Sequence, residues 1–172
     1  MRNLSSLNPV PPQANAPPNP DDLLELDNQF CFALHAASRR VVRGYRLALE
    51  ALDITYPQYL VMLVVWSWDR VSYARPTVSA LGERLDLDSG TLTPLLRRLE
   101  QKGLIVRKRG TEDERELFVY VTRTGRDLKT RAAEIPRAMV RESPLPLAQI
   151  VSLRDQLKVL HAALTRQQES AP

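Results

Sequence analysis

The stretch from Val78 to Gly125 leaves this chain few architectures. It opens with an amphipathic run, Val78-Ser-Ala-Leu-Gly-Glu-Arg-Leu85, and a break at Asp86-Leu-Asp-Ser89. The spacing then predicts a longer helix from Gly90 to Lys102, stopped by Gly103, since glycine takes the left-handed conformation past a helix end most readily. Two β-like runs follow, Leu104-Ile-Val-Arg107 and Leu117-Phe-Val-Tyr-Val121, joined by the polar segment Lys108 to Glu116. Helix, short turn, helix and hairpin within about fifty residues is the order of a winged helix-turn-helix, which lays its second helix in the DNA major groove. The expected fold is mainly α with a small β wing.

Charge agrees with that placement. From Arg97 to Arg131 there are eleven Lys and Arg against six Asp and Glu, an excess of five in a chain whose net charge is +4, so the remainder sums to −1. A charge run alone is also what a solvated surface looks like. On a helix-turn-helix it is where phosphate contacts need it. The expected DNA contacts are Ser89, Thr91, Thr93, Arg97 and Arg98 on the exposed face near the start of the second helix. Arginine can read guanine with two hydrogen bonds, and hydroxyls reach phosphates or base edges. Pro94 lacks an N–H and is expected to bend this helix slightly. Arg107, Lys108 and Arg109 read as nonspecific phosphate attraction.

The remaining segments divide the chain into four. Residues 1–20 hold six prolines and almost no charge, a composition that predicts a disordered tail. Residues 21–57 read as a sensor and dimerisation helix with its turn. The helix begins at Asp21-Asp22, carries an apolar stripe at Leu23, Leu26, Phe30, Ala33, Ala37 and Val41, and ends around Gly44. Residues 58–125 form the DNA-binding region. Its leading helix starts at Thr55-Tyr56-Pro57 and runs to about Trp68, apolar nearly all round. The β-branched run Val61 to Val65 could also be a strand, but length and the proline start favour a buried helix. Thr122 caps a helix that leads into residues 126–172, passes Leu128 and Ala132 and must bend or end at Pro136. After a break at Ser143-Pro-Leu-Pro146, a last helix carries a seam of Ile150, Leu153, Leu157, Leu160 and Leu164, spaced three, four, three and four. That seam is buried either within one subunit or, most simply, with the first helix as the interface of a homodimer matched to a palindromic operator.

With 172 residues, 44% of them hydrophobic and 26% charged, the chain can bury one ordinary core. Its single cysteine permits no intrachain disulfide and suits a reducing cytoplasm. The longest apolar run, Tyr59 to Trp66, is far short of the roughly 20 residues of a membrane helix. The expectation is a soluble cytoplasmic protein that engages no membrane. Two isolated histidines and one cysteine make no metal cluster, and no phosphate-binding glycine loop is present, so no cofactor is expected.

At this level of detail the residues resemble a known family. Leu85-x-Leu-Asp-Ser-Gly-Thr-Leu-Thr-Pro-Leu-Leu-Arg-Arg-Leu-Glu100, Gly103-Leu-Ile, Asp113-Glu-Arg115 and Val121-Thr-x-x-Gly125 look like the MarR family of dimeric winged-helix repressors. Leu26-Asp-Asn-Gln-Phe-Cys-Phe-Ala-Leu34 and Leu52-Asp-Ile-Thr-Tyr-Pro-Gln-Tyr-Leu60 are similar to its organic-hydroperoxide-sensing (OhrR-type) branch. The resemblance implies a redox sensor at Cys31, with Tyr45 and Tyr56 standing where the family's sensor tyrosines stand and meeting the cysteine across the dimer interface. Phenolic O–H groups can stabilise the thiolate that attacks a peroxide, and Phe30 and Phe32 would help form an apolar pocket favouring organic hydroperoxides. In the wing the resemblance implies that Arg115 enters the minor groove with Asp113 orienting it.

Two departures stand out. No second cysteine can capture an oxidised Cys31, which leaves a low-molecular-weight thiol, a sulfenamide or over-oxidation. His35 sits where a tyrosine is expected in this branch. It either hydrogen-bonds near the thiol, making sensing pH-dependent, or is an ordinary core or interface histidine. The expected function is a repressor released from DNA by oxidation of Cys31. The alternatives are a MarR-like repressor that reversibly binds an aromatic small molecule and, against the missing resolving cysteine, a thiol peroxidase. The chain is not expected to be an enzyme.

Overall fold

The computed structural model describes residues 19–73, 76–111 and 113–170, so the prolyl tail up to residue 18 lies outside the described residues. The chain divides into two units, Met1–Val41 and Val42–Pro172.

The first unit contains α1 (Pro20–Leu24), a single 3-10 turn (Leu26–Asn28) and most of α2 (Phe30–Gly44). The sequence pattern predicts one uninterrupted helix here; instead Glu25 and Gln29 are extended, with ψ of 129° and 111°. Side-chain amides offer the backbone another partner. Asn28 Nδ2 donates to the Asp22 carbonyl at 2.9 Å, and Gln29 Nε2 donates to the carbonyls of Leu23 and Glu25. The carbonyls at the end of α1 therefore accept from these side chains rather than from a continuing helical ladder. α2 has no buried residue along its length.

In the second unit, a short helix that the sequence pattern did not signal, α3 (Arg46–Glu50), follows Tyr45 directly and buries Leu49. α4 (Tyr56–Val71) is the hub, packed against α3 and against the elements described next. Its start is fixed locally: Thr55 and Gln58 form a reciprocal capping box, with the Thr55 amide 2.9 Å from Gln58 Oε1. It is a buried helix and not a strand, with Val61, Met62, Val65 and Trp66 all inside.

α5 (Val78–Leu85) is capped by Thr77 and ends at Asp86, which takes a left-handed φ of 54°. α6 (Ser89–Gln101) begins one residue earlier than its glycine suggests, because Asp88 caps it. Gly103, at φ 67°, turns the chain into β1 (Ile105–Arg109), which pairs antiparallel with β2 (Leu117–Val121), Ile105 opposite Val121. A bridge from Thr77 to Phe118, and the Val119 amide on the Pro76 carbonyl at 2.7 Å, fasten the hairpin to the start of α5.

Thr122 caps α7 (Arg123–Ala132), which ends before Pro136; the chain restarts as α8 (Glu134–Arg141) with that proline in its first turn. Gly125 is required by space: a Cβ there would lie 2.1 Å from the Leu104 carbonyl oxygen. Trp66 Nε1 donates to the Gly125 carbonyl at 2.8 Å, tying α4 to α7. The last helix, α9 (Leu147–Glu169), buries no residue, and Leu153, Leu157 and Leu164 of its seam are 49%, 38% and 48% exposed. Among the described residues no helix is long and apolar enough to cross a membrane.

Candidate DNA interface and sensor residues

α6 separates its faces cleanly. Leu92, Leu96 and Leu99 are buried, while Ser89, Thr91, Thr93, Arg97 and Arg98 are all exposed, spread around the rest of the helix circumference. Thr91 is already engaged. Its amide donates to Asp88 Oδ1 at 2.8 Å and its hydroxyl to Oδ2 at 3.1 Å, which spends the hydroxyl proton on the helix cap. Those hydrogen bonds hold the Asp88 carboxyl below its usual range. Asp88 is thus a positioning residue that the sequence reading assigned only to the turn. An acidic residue three positions before a threonine at a helix start was the signal for it.

The wing corrects two expectations. Arg107 is not a free phosphate-seeking cation. Its guanidinium and amide grip the Glu100 carboxylate, with Nη2–Oε2 at 2.7 Å and N–Oε1 at 3.0 Å, joining the end of α6 to β1. The same guanidinium contact, then the amide, holds the Glu100 carboxyl below its ordinary range. Asp113 does orient the wing tip, but through the backbone: its Oδ1 accepts from the Arg115 amide at 2.8 Å, leaving the Arg115 side chain exposed. Lys108 lies over the Tyr120 ring, 5.9 Å from its centroid. Arg109 Nη1 reaches the Glu114 carbonyl at 3.4 Å.

Tyr45 and Tyr56 meet within the second unit, ring centroids 5.1 Å apart, and Tyr59 lies 6.1 Å from Tyr45. Burial, then the Tyr56 phenol, raises the pKa of Tyr45; burial, then Tyr45 and Tyr56, raises that of Tyr59. Raised phenols stay protonated and so remain hydrogen-bond donors. Cys31 and His35 lie in the first unit, one turn apart on α2, and both are exposed. Phe30 and Phe32 are 64% and 39% exposed, so among the described residues nothing covers them as the wall of an apolar pocket. Beside the tyrosines, a groove of about 320 Å³ runs between α4 and the α7–α8 segment, with Tyr59, Leu63, Trp66 and Ala132 along it and Arg70 and Lys129 also lining it.

Residues 44–132 match the family model described as transcriptional regulator SarA/Rot. The chain is 44% identical over 147 residues to the organic hydroperoxide resistance transcriptional regulator of Bacillus subtilis, covering 83% of this chain and 97% of that protein. The chain belongs to the MarR family of winged-helix transcriptional regulators. It is a regulator and not an enzyme. Among solved structures it is similar to reduced AbfR bound to DNA, from a Staphylococcus epidermidis protein, at 32% identity and a TM-score of 0.66, covering 84% of this chain and 98% of that one. Overoxidised AbfR bound to DNA matches at 31% identity and a TM-score of 0.65, covering 83% and 98%.

In this MarR-type regulator, three long-range ties join separate segments of the second unit, and periodicity signalled none of them. Lys102, just past α6, donates from Nζ to the carbonyl and carboxylate of Asp53, in the turn leading to Tyr56. Arg126 grips Asp69 with two hydrogen bonds, at 2.9 and 2.6 Å, and lowers the pKa of that carboxyl. Arg131 donates to the Ala51 carbonyl at 2.9 Å.

Proposed function

We propose that the chain is a cytoplasmic homodimeric repressor that binds operator DNA through α6 and Arg115 of the wing, and leaves it when Cys31 is oxidised by an organic hydroperoxide. The observation that carries this reading is Cys31, the one cysteine of the sequence, exposed in a chain related over 83% of its length to an organic hydroperoxide resistance regulator. The exposed apolar residues of α2 and α9 support self-association, because a seam of leucines left in water is unfavourable until a partner covers it.

In the proposed chemistry the Cys31 thiolate attacks the distal oxygen of ROOH. The O–O bond breaks, sulfur gains the oxygen as sulfenic acid, and RO⁻ takes a proton to leave as the alcohol. With Tyr45 and Tyr56 protonated beside it in the dimer, the thiolate gains hydrogen bonds that favour the reactive form. A second thiol then condenses with the sulfenic acid, forming a mixed disulfide and water. AbfR is bound to DNA in its overoxidised form, so in that relative overoxidation is compatible with the complex. By the same physics the releasing species here is the bulkier mixed disulfide, which shifts the spacing of the two recognition helices. His35, one turn from Cys31, would sit beside the modified sulfur.

Fluorescence anisotropy on DNA from upstream of the protein's own gene tests this. Reduced protein should bind. Protein treated with cumene hydroperoxide and a small thiol should dissociate and recover with dithiothreitol, and Cys31→Ser should be indifferent to the same treatment. If the variant is released as readily as the wild type, Cys31 is not the sensor. The groove along Tyr59, Leu63 and Trp66, with Arg70 and Lys129 among its lining residues, favours the second reading, a reversibly bound aromatic ligand carrying an anionic group. Cys31→Ser would then leave derepression intact.

A further inference from the structure

The outward side of α6 has a carbon surface that the charged contacts do not explain. With Leu92, Leu96 and Leu99 buried, helical spacing turns Gly90, Pro94, Arg97 and Gln101 to the opposite side, and all four are exposed. Gly90 has no side chain, and Pro94 presents a pyrrolidine ring with no N–H. Thr91 beside them has its hydroxyl proton committed to Asp88. The first two turns of α6 therefore approach DNA with a proline ring at their centre, and cationic reach begins a turn later at Arg97 and Arg98.

The floor of the major groove presents hydrogen-bond donors and acceptors at almost every base edge. Pressing a proline ring on any of them strips water without replacing it, which is unfavourable. The one apolar group that identifies a base there is the thymine 5-methyl. We propose that Pro94 is a specificity-determining residue whose ring packs on a thymine methyl in each half-site, imposing a thymine one turn before the bases or phosphates taken by Arg97 and Arg98. Gly90 supports this role, since the absence of a side chain one turn earlier lets the helix settle deeply enough for the ring to touch. The inference rests on the DNA-binding reading of α6 given above.

The test starts with reduced protein selecting its operator from randomised duplexes. Each thymine of the enriched half-site is then replaced, in both half-sites, by deoxyuridine, which deletes only the methyl. At one symmetry-related position the wild type should lose about fourfold in affinity per half-site, the effect of withdrawing one methyl-sized group from contact. A Pro94→Ser variant keeps or improves helix propensity, and circular dichroism checks that it is folded. It should bind the thymine and uracil operators alike. If no thymine is sensitive in the wild type, or if the sensitivity persists in Pro94→Ser, the assignment to Pro94 is overturned. If no duplex is enriched at all, DNA reading by α6 fails and this inference fails with it.

Discussion

Gly125→Ala should be among the most damaging single-methyl additions to this protein. The new Cβ would lie 2.1 Å from the Leu104 carbonyl oxygen and 2.7 Å from Val121 Cγ2, where ordinary van der Waals contact begins at 3.4 Å, so backbone on one side must give by 1.3 Å. Protein interiors do not compress by that much. The movement also strains two contacts that meet there, Trp66 Nε1 on the Gly125 carbonyl at 2.8 Å and the Thr122 amide on the Leu104 carbonyl at 3.1 Å. Overpacking of this kind, plus a weakened hydrogen bond, amounts to about 3 kcal/mol. Gly103→Ala is the control. A Cβ there meets nothing within 4 Å, but φ is +67°, so only the left-handed conformation is penalised, by about 1–2 kcal/mol. Urea unfolding followed by far-ultraviolet circular dichroism, at one protein concentration so that self-association does not move the midpoint, measures both. A Gly125→Ala variant within about 1 kcal/mol of wild type, or less affected than Gly103→Ala, would refute the claim that this junction is rigid.

Arg115→Ala should weaken operator binding and reduce the slope of log affinity against log salt by about one per protomer without changing the unfolding midpoint; an unchanged slope removes Arg115 from the interface. Arg107→Met should show the reverse signature, lower stability through loss of the Glu100 pair, with a distinctive pH dependence. The Glu100 carboxyl is held below its ordinary 4.5, so the pair's contribution is complete above that value and is lost as pH falls through the folded-state pKa. The stability gap between wild type and Arg107→Met should therefore narrow on acidification below 4.5, and a constant gap would rule out the pair as its source. Lys102→Met removes the tie from the end of α6 to the turn before Tyr56. Reduced protein should keep its DNA affinity within about threefold while the ratio of reduced to oxidised affinity shrinks; a preserved ratio would show that the Asp53 contact carries no coupling.

Some features were legible because they are short-range. Thr122 caps the helix it precedes, Thr55 starts α4 ahead of its first-turn proline, and Gly103 adopts the left-handed turn its position suggested. The break between α1 and α2 was not legible, because the apolar stripe runs straight through it. Hydrophobic spacing does not register that the amides of Asn28 and Gln29 bond to backbone carbonyls up to six residues back. α3 was hidden for a similar reason, being five residues long and continuing from Tyr45 almost without a change of conformation.

The sequence by itself determined the order of elements from α4 to α7, the burial of α4 as a helix, and the family. Each depends on patterns that repeat within a turn or two, or on motifs that stand unbroken in the chain. Only the tertiary structure decided which polar groups remain available for function. Arg97, Arg98, Arg107 and Arg115 look alike in a count of charge, yet Arg107 is spent on Glu100 across a reversal of the chain, and the Thr91 hydroxyl is spent on Asp88. Lys102 and Asp53 meet although 49 positions separate them. Whether a charge is free or paired depends on distances of a few ångströms, and the folded backbone sets those distances.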